Sequence, residues 1–554
     1  MKKIITLFIS VVMIVCCIPF SAVTVAADTV PTYYVAADGK GNGLSEDSPM
    51  SLKYLNSNVY IFGGSRVLFK CGDIFYGNIT PILKETSESA KVEFGCYGKG
   101  TLPIISGAKI ALNNWEREAG GFFKYDLTDK DGFGGVETDI TNIGFIEDSN
   151  GVKYGARRLN AEECTKEYDF YCDEQYLYLK SVKNPYEALG ELRLATGISL
   201  LSISSNMVIH DLNLRDAGYG IVWKEKKAET TKNVHIYNCV IENMGGHYIG
   251  GLNSGTKGGN GIEFYSYAEN CIVENNIIRN CYDVGFTCQG NGIWKNVTVK
   301  NNIFAYNTQS IEVWLKTENP DRDGVFGLDF YNNICIAQGE SWGYDVRPNK
   351  RTAADVLSYY YQGNTWDMSV KNNVFFHKNS QGAVYYNSSL SFEKFVSDVN
   401  PVNNIVYIPS ATTDIHREEN ISKNMEVWKT LSDKNSSFNI VSDYSKYENL
   451  LSLSEHSNDF NKILSEAKAV GFNTAAVELT REANIVPNSF VYTPIGKDTV
   501  DKNETVTDKN EKTDVNISTD SKSVPVIPIA VVSVCAFSTL ALAVLIILMK
   551  KHKI

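Results

Sequence analysis

Apart from its two ends, this chain of 554 residues contains no extended run of Lys and Arg, and its formal net charge is −11. Nucleic-acid phosphates are held by clustered basic side chains, so no nucleic-acid partner is expected. No two cysteines stand in a C-x-x-C spacing, which removes the usual zinc-site pattern, and no metal or cofactor is expected. Of twelve cysteines, Cys16, Cys17 and Cys535 lie in terminal apolar runs. The nine between them are Cys71, Cys96, Cys164, Cys172, Cys239, Cys271, Cys281, Cys288 and Cys335. Nine is odd, so at least one stays unpaired, and most fall in strand-like stretches as small buried apolar residues. Cys164 and Cys172 are the one candidate disulfide pair. The central region has no helical pattern between its strand-like segments. An LPxTG-like sorting motif is also lacking, so nothing supports wall attachment.

What is present is a returning phrase. It reads VHIYNCVIENM from Val234, CIVENNIIRNC from Cys271, VTVKNNIFAYN from Val297, LDFYNNICIAQ from Leu328 and MSVKNNVFFHK from Met368. A looser copy starts at Met207 and a short one at Val402. Each copy alternates apolar and polar residues, as a strand with one buried face does. Each then breaks at an Asn pair or its substitute, and Asn tolerates the left-handed backbone of a tight turn. The pairs are Asn275–Asn276, Asn301–Asn302, Asn332–Asn333, Asn372–Asn373 and Asn403–Asn404, so they recur every 26 to 40 residues. Recurrence on that scale marks a solenoid in which each coil buries its inner face by stacking on the next. Short strands without intervening helices predict an all-β, right-handed parallel β-helix over residues 60–410, with an amide ladder formed by the stacked Asn side chains.

The N-terminal stretch adds a second pattern. TYYVAADGKGNGLSEDSPMSLKYLN predicts a strand, a Gly-rich turn and a short helix. It is followed by Gly72-Asp73-Ile74-Phe75-Tyr76-Gly77 and by the segment from Tyr97 to Gly107. Together with Ser48-Pro49, these phrases resemble the opening of secreted right-handed parallel β-helix proteins of the pectate-lyase-like superfold. With the repeats, the resemblance covers roughly 300 residues. It implies the fold and a carbohydrate setting. It does not imply one reaction, because that superfold carries lyases, glycosidases, epimerases and phage spikes.

The remaining segments are read by composition. Residues 1–27 have Lys2 and Lys3 before an apolar run and end in small residues, the pattern of a secretory signal peptide. Residues 28–110 form the N-terminal cap and first coils. Residues 111–195 contain hairpin-like phrases and are read as an inserted small β-subdomain, leaving 196–410 as the solenoid core. Asp129-Lys130-Asp131-Gly132 and Asp321-Arg322-Asp323-Gly324 have a calcium-loop flavour, but further oxygen ligands at that spacing are lacking and plain turns are favoured. Residues 411–496 include a helix over Asp459 to Val470, with Phe460, Ile463, Leu464 and Ala467 on one face, and are read as a C-terminal cap. Residues 497–522 are polar and read as a disordered linker. Residues 523–549 are an apolar run long enough to span a bilayer as one helix, and residues 550–554 are a basic cytoplasmic tail. The expectation is an exported, monomeric ectodomain anchored outside a bacterial cell membrane.

Candidate chemistry comes from a second strand in each repeat. Its copies start at Gly220, Gly261, Gly285, Ser310 and Gly343. Apolar residues at the second and fourth positions point inward, so the third and fifth point outward. The third column reads Val222, Glu263, Thr287, Glu312, Asp345, and the fifth reads Lys224, Tyr265, Gln289, Trp314, Arg347. Stacked strands lie about 4.8 Å apart, which predicts roughly 5 Å between Glu312 and Asp345 and roughly 10 Å between Glu263 and Glu312. Paired carboxyls at such separations fit retaining or inverting glycosidases, respectively, and like charges this close raise one pKa. Glu312 and Asp345 are the leading catalytic pair, with Glu263 as the alternative partner. Arg347, Trp314, Tyr265 and Gln289 are the candidate substrate-binding residues, with His247 from the Gly-rich loop of residues 245–261. The alternative to a catalytic column is an ordinary solvated face of paired charges.

The phrase Trp342 to Pro348, WGYDVRP, resembles one found in surface β-helix proteins of gut-type bacteria, which implies Asp345 and Arg347 as site residues. β-Helical lacto-N-biosidases use two acidic residues on such a face, though their motif has no residue-by-residue counterpart here. Three functions therefore compete. A glycoside hydrolase would use two of the three carboxylates. A polysaccharide lyase would need a base and a cation for the uronate carboxylate, with Lys224, Lys316 and Arg347 as candidates. A glycan-binding surface protein or adhesin would need neither. In each the partner is a carbohydrate.

Overall fold

The computed structural model describes residues 30–376 except 129–132, 135–139, 224–230, 253, 318 and 348–352. It further describes residues 383–387, 398–409, 438–441, most of 464–479, and 490–491. The expected signal peptide, linker, apolar run and basic tail lie outside the described residues, as do Lys224, Phe460, Ile463 and the turn at 129–132. Among the described residues no helix is long and apolar enough to cross a membrane.

The chain is a right-handed parallel β-helix with three sheets running along its length. In the first, Arg66–Lys70, Val92–Tyr97, Met207–His210 and His235–Tyr237 are succeeded by the later parts of Ile262–Glu274 and Val284–Lys300, then by Gly324–Tyr331 and Thr365–Lys371. In the second, Ile104–Ser106, Asn213–Trp223, Val240–Met244, Ile277–Cys281, Ile303–Ala305, Ile334–Ile336, Val374–Phe376 and Ile405–Pro409 pair in order. The third joins Leu192–Ile203, Asn213–Trp223, the early parts of Ile262–Glu274 and Val284–Lys300, Gln309–Leu315, Ala354–Tyr361 and Ala383–Asn387. All of these pairings are parallel. Alternation along each strand sends Phe264, Phe286, Trp294, Ile311, Val325 and Phe330 into one continuous apolar core, where each is fully buried.

The Asn pairs divide their work at the corner between the first two sheets. The first member takes positive φ: 56° at Asn275, 54° at Asn301, 54° at Asn332, 56° at Asn372 and 52° at Asn403. Asn suits that left-handed step better than any branched residue. The second member points inward and stacks. Asn276 donates through Nδ2 to Asn302 Oδ1 at 3.0 Å, and Asn302 to Asn333 at 3.1 Å. Asn333 donates likewise to Asn373 at 3.0 Å, and Asn373 to Asn404 at 3.0 Å. Each Oδ1 also takes the main-chain N–H of the preceding rung, so buried amides and buried backbone satisfy one another. At the N-terminal end of this ladder Cys239 occupies the same place, and its N–H donates to Asn276 Oδ1 at 2.8 Å.

Val92–Tyr97 pairs directly with Met207–His210, and Ile104–Ser106 with Asn213 to Arg215. Two neighbouring rungs are thus separated in sequence by the segment that begins near residue 107. That segment carries a four-stranded antiparallel sheet of Phe170–Cys172, Tyr176–Lys180, Phe122–Asp126 and Glu116–Glu118. It also carries Phe145–Asp148, which pairs antiparallel with the start of Leu192–Ile203. Cys164 and Cys172 are both free buried thiols there, so the candidate disulfide is not formed. The 321–324 segment is a turn in which Asp323 receives Arg322 at 2.6 Å.

The described part of the C-terminal segment lies along the flank of the stack rather than over its end. Leu464, Ala467, Phe472 and Ala476 join a cluster with Ile303, Ile334 and Val374 on the outer side of the second sheet. Asn332 Nδ2 donates to Gly471 O at 2.8 Å, which pins the segment at mid-stack. Further on, Phe490–Val491 pairs with Lys153–Tyr154 of the insertion.

Candidate active site

The third sheet sets the site. Register pairs Val222 with Glu263, Glu263 with Thr287, and Thr287 with Glu312. Beside this column Tyr265 pairs with Gln289 and Gln289 with Trp314. Glu263 and Glu312 therefore stand two rungs apart on one face, a backbone separation of roughly 10 Å. The next strand is Ala354–Tyr361, and Glu312 pairs there with Leu357. This corrects the sequence-based column, which continued to Asp345. Residues Trp342–Asp345 instead form a short helix capped by Ser341, whose Oγ accepts from Tyr344 N–H at 3.3 Å. Asp345 is exposed and does not line the cleft. The alternation Gly-Tyr-Asp-Val mimics a strand, but Ser before a four-residue turn is also a helix start, and tertiary packing of Trp342 and Tyr344 selects the helix.

A cleft of about 500 Å³ opens over the column. Glu263, Glu312, Tyr265, Gln289, Trp314 and Arg347 all face it, and the structure brings these six predicted residues together. One wall comes from the Gly-rich loop, which folds into a small hairpin pairing His247 with Gly258 and Tyr248 with Lys257. Glycine is required at its base. Gly245 sits at φ 101° and Gly259 at φ 155°, and a Cβ on Gly259 would meet the Gly245 Cα at 2.1 Å. Ile249, Thr256 and Lys257 project from this hairpin to the cleft. His247 does not reach it: the ring is buried edge-on to Tyr219, at 5.0 Å between centroids, and burial followed by the Arg157 charge pushes it down to about 4. It is a neutral structural histidine under the loop.

Arg347 arrives from the segment after the short helix. Its Nη2 donates to the Tyr282 carbonyl at 2.8 Å and to Asp283 Oδ1 at 2.7 Å, and the guanidinium lies over the Tyr282 ring. Asp283 is the carboxylate that sequence reasoning missed. It occupies the corner just before Val284–Lys300, outside both strand columns, so alternation assigned it no face. The sequence signal for it was position alone, in the turn leading into the candidate strand. Tyr219, Lys257 and Gln309 were also missed as cleft residues.

Electrostatics separate the two glutamates from ordinary surface acids. Burial pushes Glu263 up to about 7, with a hydrogen bond from Asn260 Nδ2 at 2.8 Å opposing and the Asp283 charge reinforcing. Burial pushes Glu312 up to about 8, and the Asp283 and Glu263 charges add to it. The Thr287 hydroxyl at 3.3 Å and the Arg347 cation pull Glu312 the other way. Gln289 Nε2 donates to the same Glu312 oxygen at 3.4 Å. Near neutral pH the cleft thus holds one carboxyl that keeps its proton and one that readily exchanges it. Among the described residues no cluster of three metal-ligating side chains occurs.

Comparison with known proteins agrees on the architecture. Residues 194–334 match the family model for a right-handed β-helix region. Among solved structures, a complex of XylC with xylose is 11% identical over 69% of this chain and 69% of that one, with a TM-score of 0.41. A GH136 lacto-N-biosidase from Eubacterium ramulus is 14% identical over 68% of this chain and 56% of that one, with a TM-score of 0.37. An alginate lyase from Paenibacillus sp. str. FPU-7 is 9% identical over 68% and 93%, with a TM-score of 0.30. No curated protein matches. The family match concerns the fold, and the chemistry has to be read from the cleft itself.

Proposed function

We propose that this protein is a glycoside hydrolase acting on an oligo- or polysaccharide, displayed outside the cell by its C-terminal apolar run. The observation that carries the reading is the pairing of Glu263 and Glu312 across one cleft, with carboxyls pushed up to about 7 and about 8. Glu312 is the general acid, protonating the leaving glycosidic oxygen. Glu263 is the base, taking a proton from water on the opposite face of the sugar. A two-rung separation of roughly 10 Å leaves room for that water and favours inversion at the anomeric carbon. Trp314 and Tyr265 offer ring faces for stacking on sugar; burial keeps Glu312 protonated as the acid, and the charge of Asp283, held by Arg347, adds to that effect.

A second reading has one observation in its favour. Lys257 lines the cleft and burial pushes it down to about 7, which suits the base of a polysaccharide lyase. Screening on a glycan panel separates the readings. Hydrolysis yields new reducing ends only, elimination yields an ultraviolet-absorbing unsaturated product, and a binding protein yields neither. On the cognate glycan, Glu312→Gln should lower kcat by about 10²- to 10⁴-fold, while Asp345→Asn should leave it within about two-fold. Unchanged turnover in both Glu312→Gln and Glu263→Gln would sink the proposal.

A further inference from the structure

Lys257 has a second role beside the cleft wall. The same side chain lines a second, nearly closed cavity where the insertion meets the rungs, shared with Ala156, Arg157, Tyr282 and Trp342. This cavity has room for one water-sized group. Arg157 is 2% exposed. Its Nη1 donates to the Arg158 carbonyl at 2.6 Å, but Nε and Nη2 find no partner among the described residues. A guanidinium cannot shed its proton, so a buried one with unused donors is a standing demand for an anion.

The neighbourhood sharpens that demand. The Lys257 ammonium lies 5.1 Å from the Tyr248 ring centroid and the Arg157 guanidinium 5.2 Å from the same centroid. The Lys257 Nζ donates to the Arg157 carbonyl, so its contact there is a neutral acceptor and not a counter-charge. Burial, then Arg157 and Arg158, push Lys257 down, while Glu163 and Asp169 oppose weakly. Asp169 is already engaged by Arg158 at 3.3 Å. Arg157 and Lys257 thus share a corner with too little negative charge, and Lys257 also lines the cleft.

We propose that Arg157 and Lys257 form a subsite for a carboxylate carried by the glycan, which makes the substrate an acidic saccharide of the uronic-acid class. This rests on reading the cleft as a glycan site. The small cavity accepts a carboxylate oxygen from the cleft side, whereas a sugar ring stays outside. Selectivity arises because a neutral sugar in the same place leaves the Arg157 donors unmatched.

The test is an NMR titration of the full chain, at constant ionic strength, with glucuronate, glucose, acetate and chloride. Glucuronate should bind at least ten-fold more tightly than glucose, and Lys257→Gln and Arg157→Gln should each reduce it to the level of glucose. Should Arg157→Gln fail to fold, Lys257→Gln alone carries the test, since that residue stands at the cavity mouth. Equal affinity for glucuronate and glucose overturns the proposal. So does acetate or chloride binding as tightly as glucuronate, which identifies a small-anion pocket only. The outcome is separable from catalysis. A glucuronate preference without turnover on any glycan retains the subsite and removes the hydrolase reading; turnover on neutral glycans without the preference does the reverse.

Discussion

Replacing Asn302 with Ala tests the amide ladder that holds the rungs in register. The Asn302 side chain donates to the Val273 carbonyl at 3.0 Å and to Asn333 Oδ1 at 3.1 Å. Its own Oδ1 receives the Asn276 N–H at 3.0 Å and the Asn276 Nδ2 at 3.0 Å. All of this is fully buried. Asn276 Nδ2 keeps a second acceptor, the Ile236 carbonyl, but the Asn276 N–H is left without one. A net hydrogen bond is worth about 1 kcal/mol, and orphaning a buried donor costs about 1–3 kcal/mol. The expected loss is on the order of 3–5 kcal/mol. The control is Asn275→Gly, one residue away. Asn275 supplies the positive-φ corner, which Gly adopts freely, so that change should stay within about 1 kcal/mol. Urea unfolding midpoints compare the two variants. Hydrogen exchange reads the local effect, which matters because stacked repeats need not unfold all at once. Protection should fall at Asn276 and in the rungs on either side. Equal stability of the two variants, or unchanged protection at Asn276, would refute the account of the ladder.

Two further outcomes follow from the cleft charges. Glu312 binds its proton up to about 8 when folded, against an ordinary value of 4.5, so its contribution to stability is complete below about 4.5 and is lost as pH rises toward 8. Glu312→Gln does not titrate. Its stability advantage over the wild type should grow between pH 5 and pH 8.5 by on the order of 4 kcal/mol, seen as a widening gap in Tm, and a constant gap across that range would count against the buried carboxyl. Arg347→Met removes the cation that pulls Glu312 down, so the alkaline limb of the turnover profile should move to higher pH; a limb that stays put shows that Arg347 does not act on Glu312.

Much of the architecture was legible because solenoid physics is local and repeated. The Asn pairs announced both the corner and the stack: one amide tolerates positive φ, and its neighbour has a partner only if another Asn stands directly above it. Alternation likewise assigned Glu263, Glu312, Tyr265, Gln289 and Trp314 to one outward face, which is where the cleft lies. The reading failed where periodicity stops. At Trp342–Asp345 a strand-like alternation folds as a helix, because Trp342 packs against Phe145 and Tyr282 at ring distances of 5.0 and 5.8 Å. Nothing in the local pattern carries that contact.

The repeat therefore determined on its own that rungs stack, which faces turn inward, and that two glutamates share a column two rungs apart. Hydrophobic alternation and turn chemistry act between near neighbours or at a fixed period, so they are written in the order of residues. Tertiary structure alone decided that Asp283 and Arg347, 64 residues apart, meet in the same cleft as those glutamates. It alone decided that Asp345 stays outside, and that Lys153, Arg157 and Lys257 come to one corner. Those placements depend on how an insertion packs against the rungs. Desolvation and charge sum over whatever surrounds a group in space, and no period in the sequence encodes that sum.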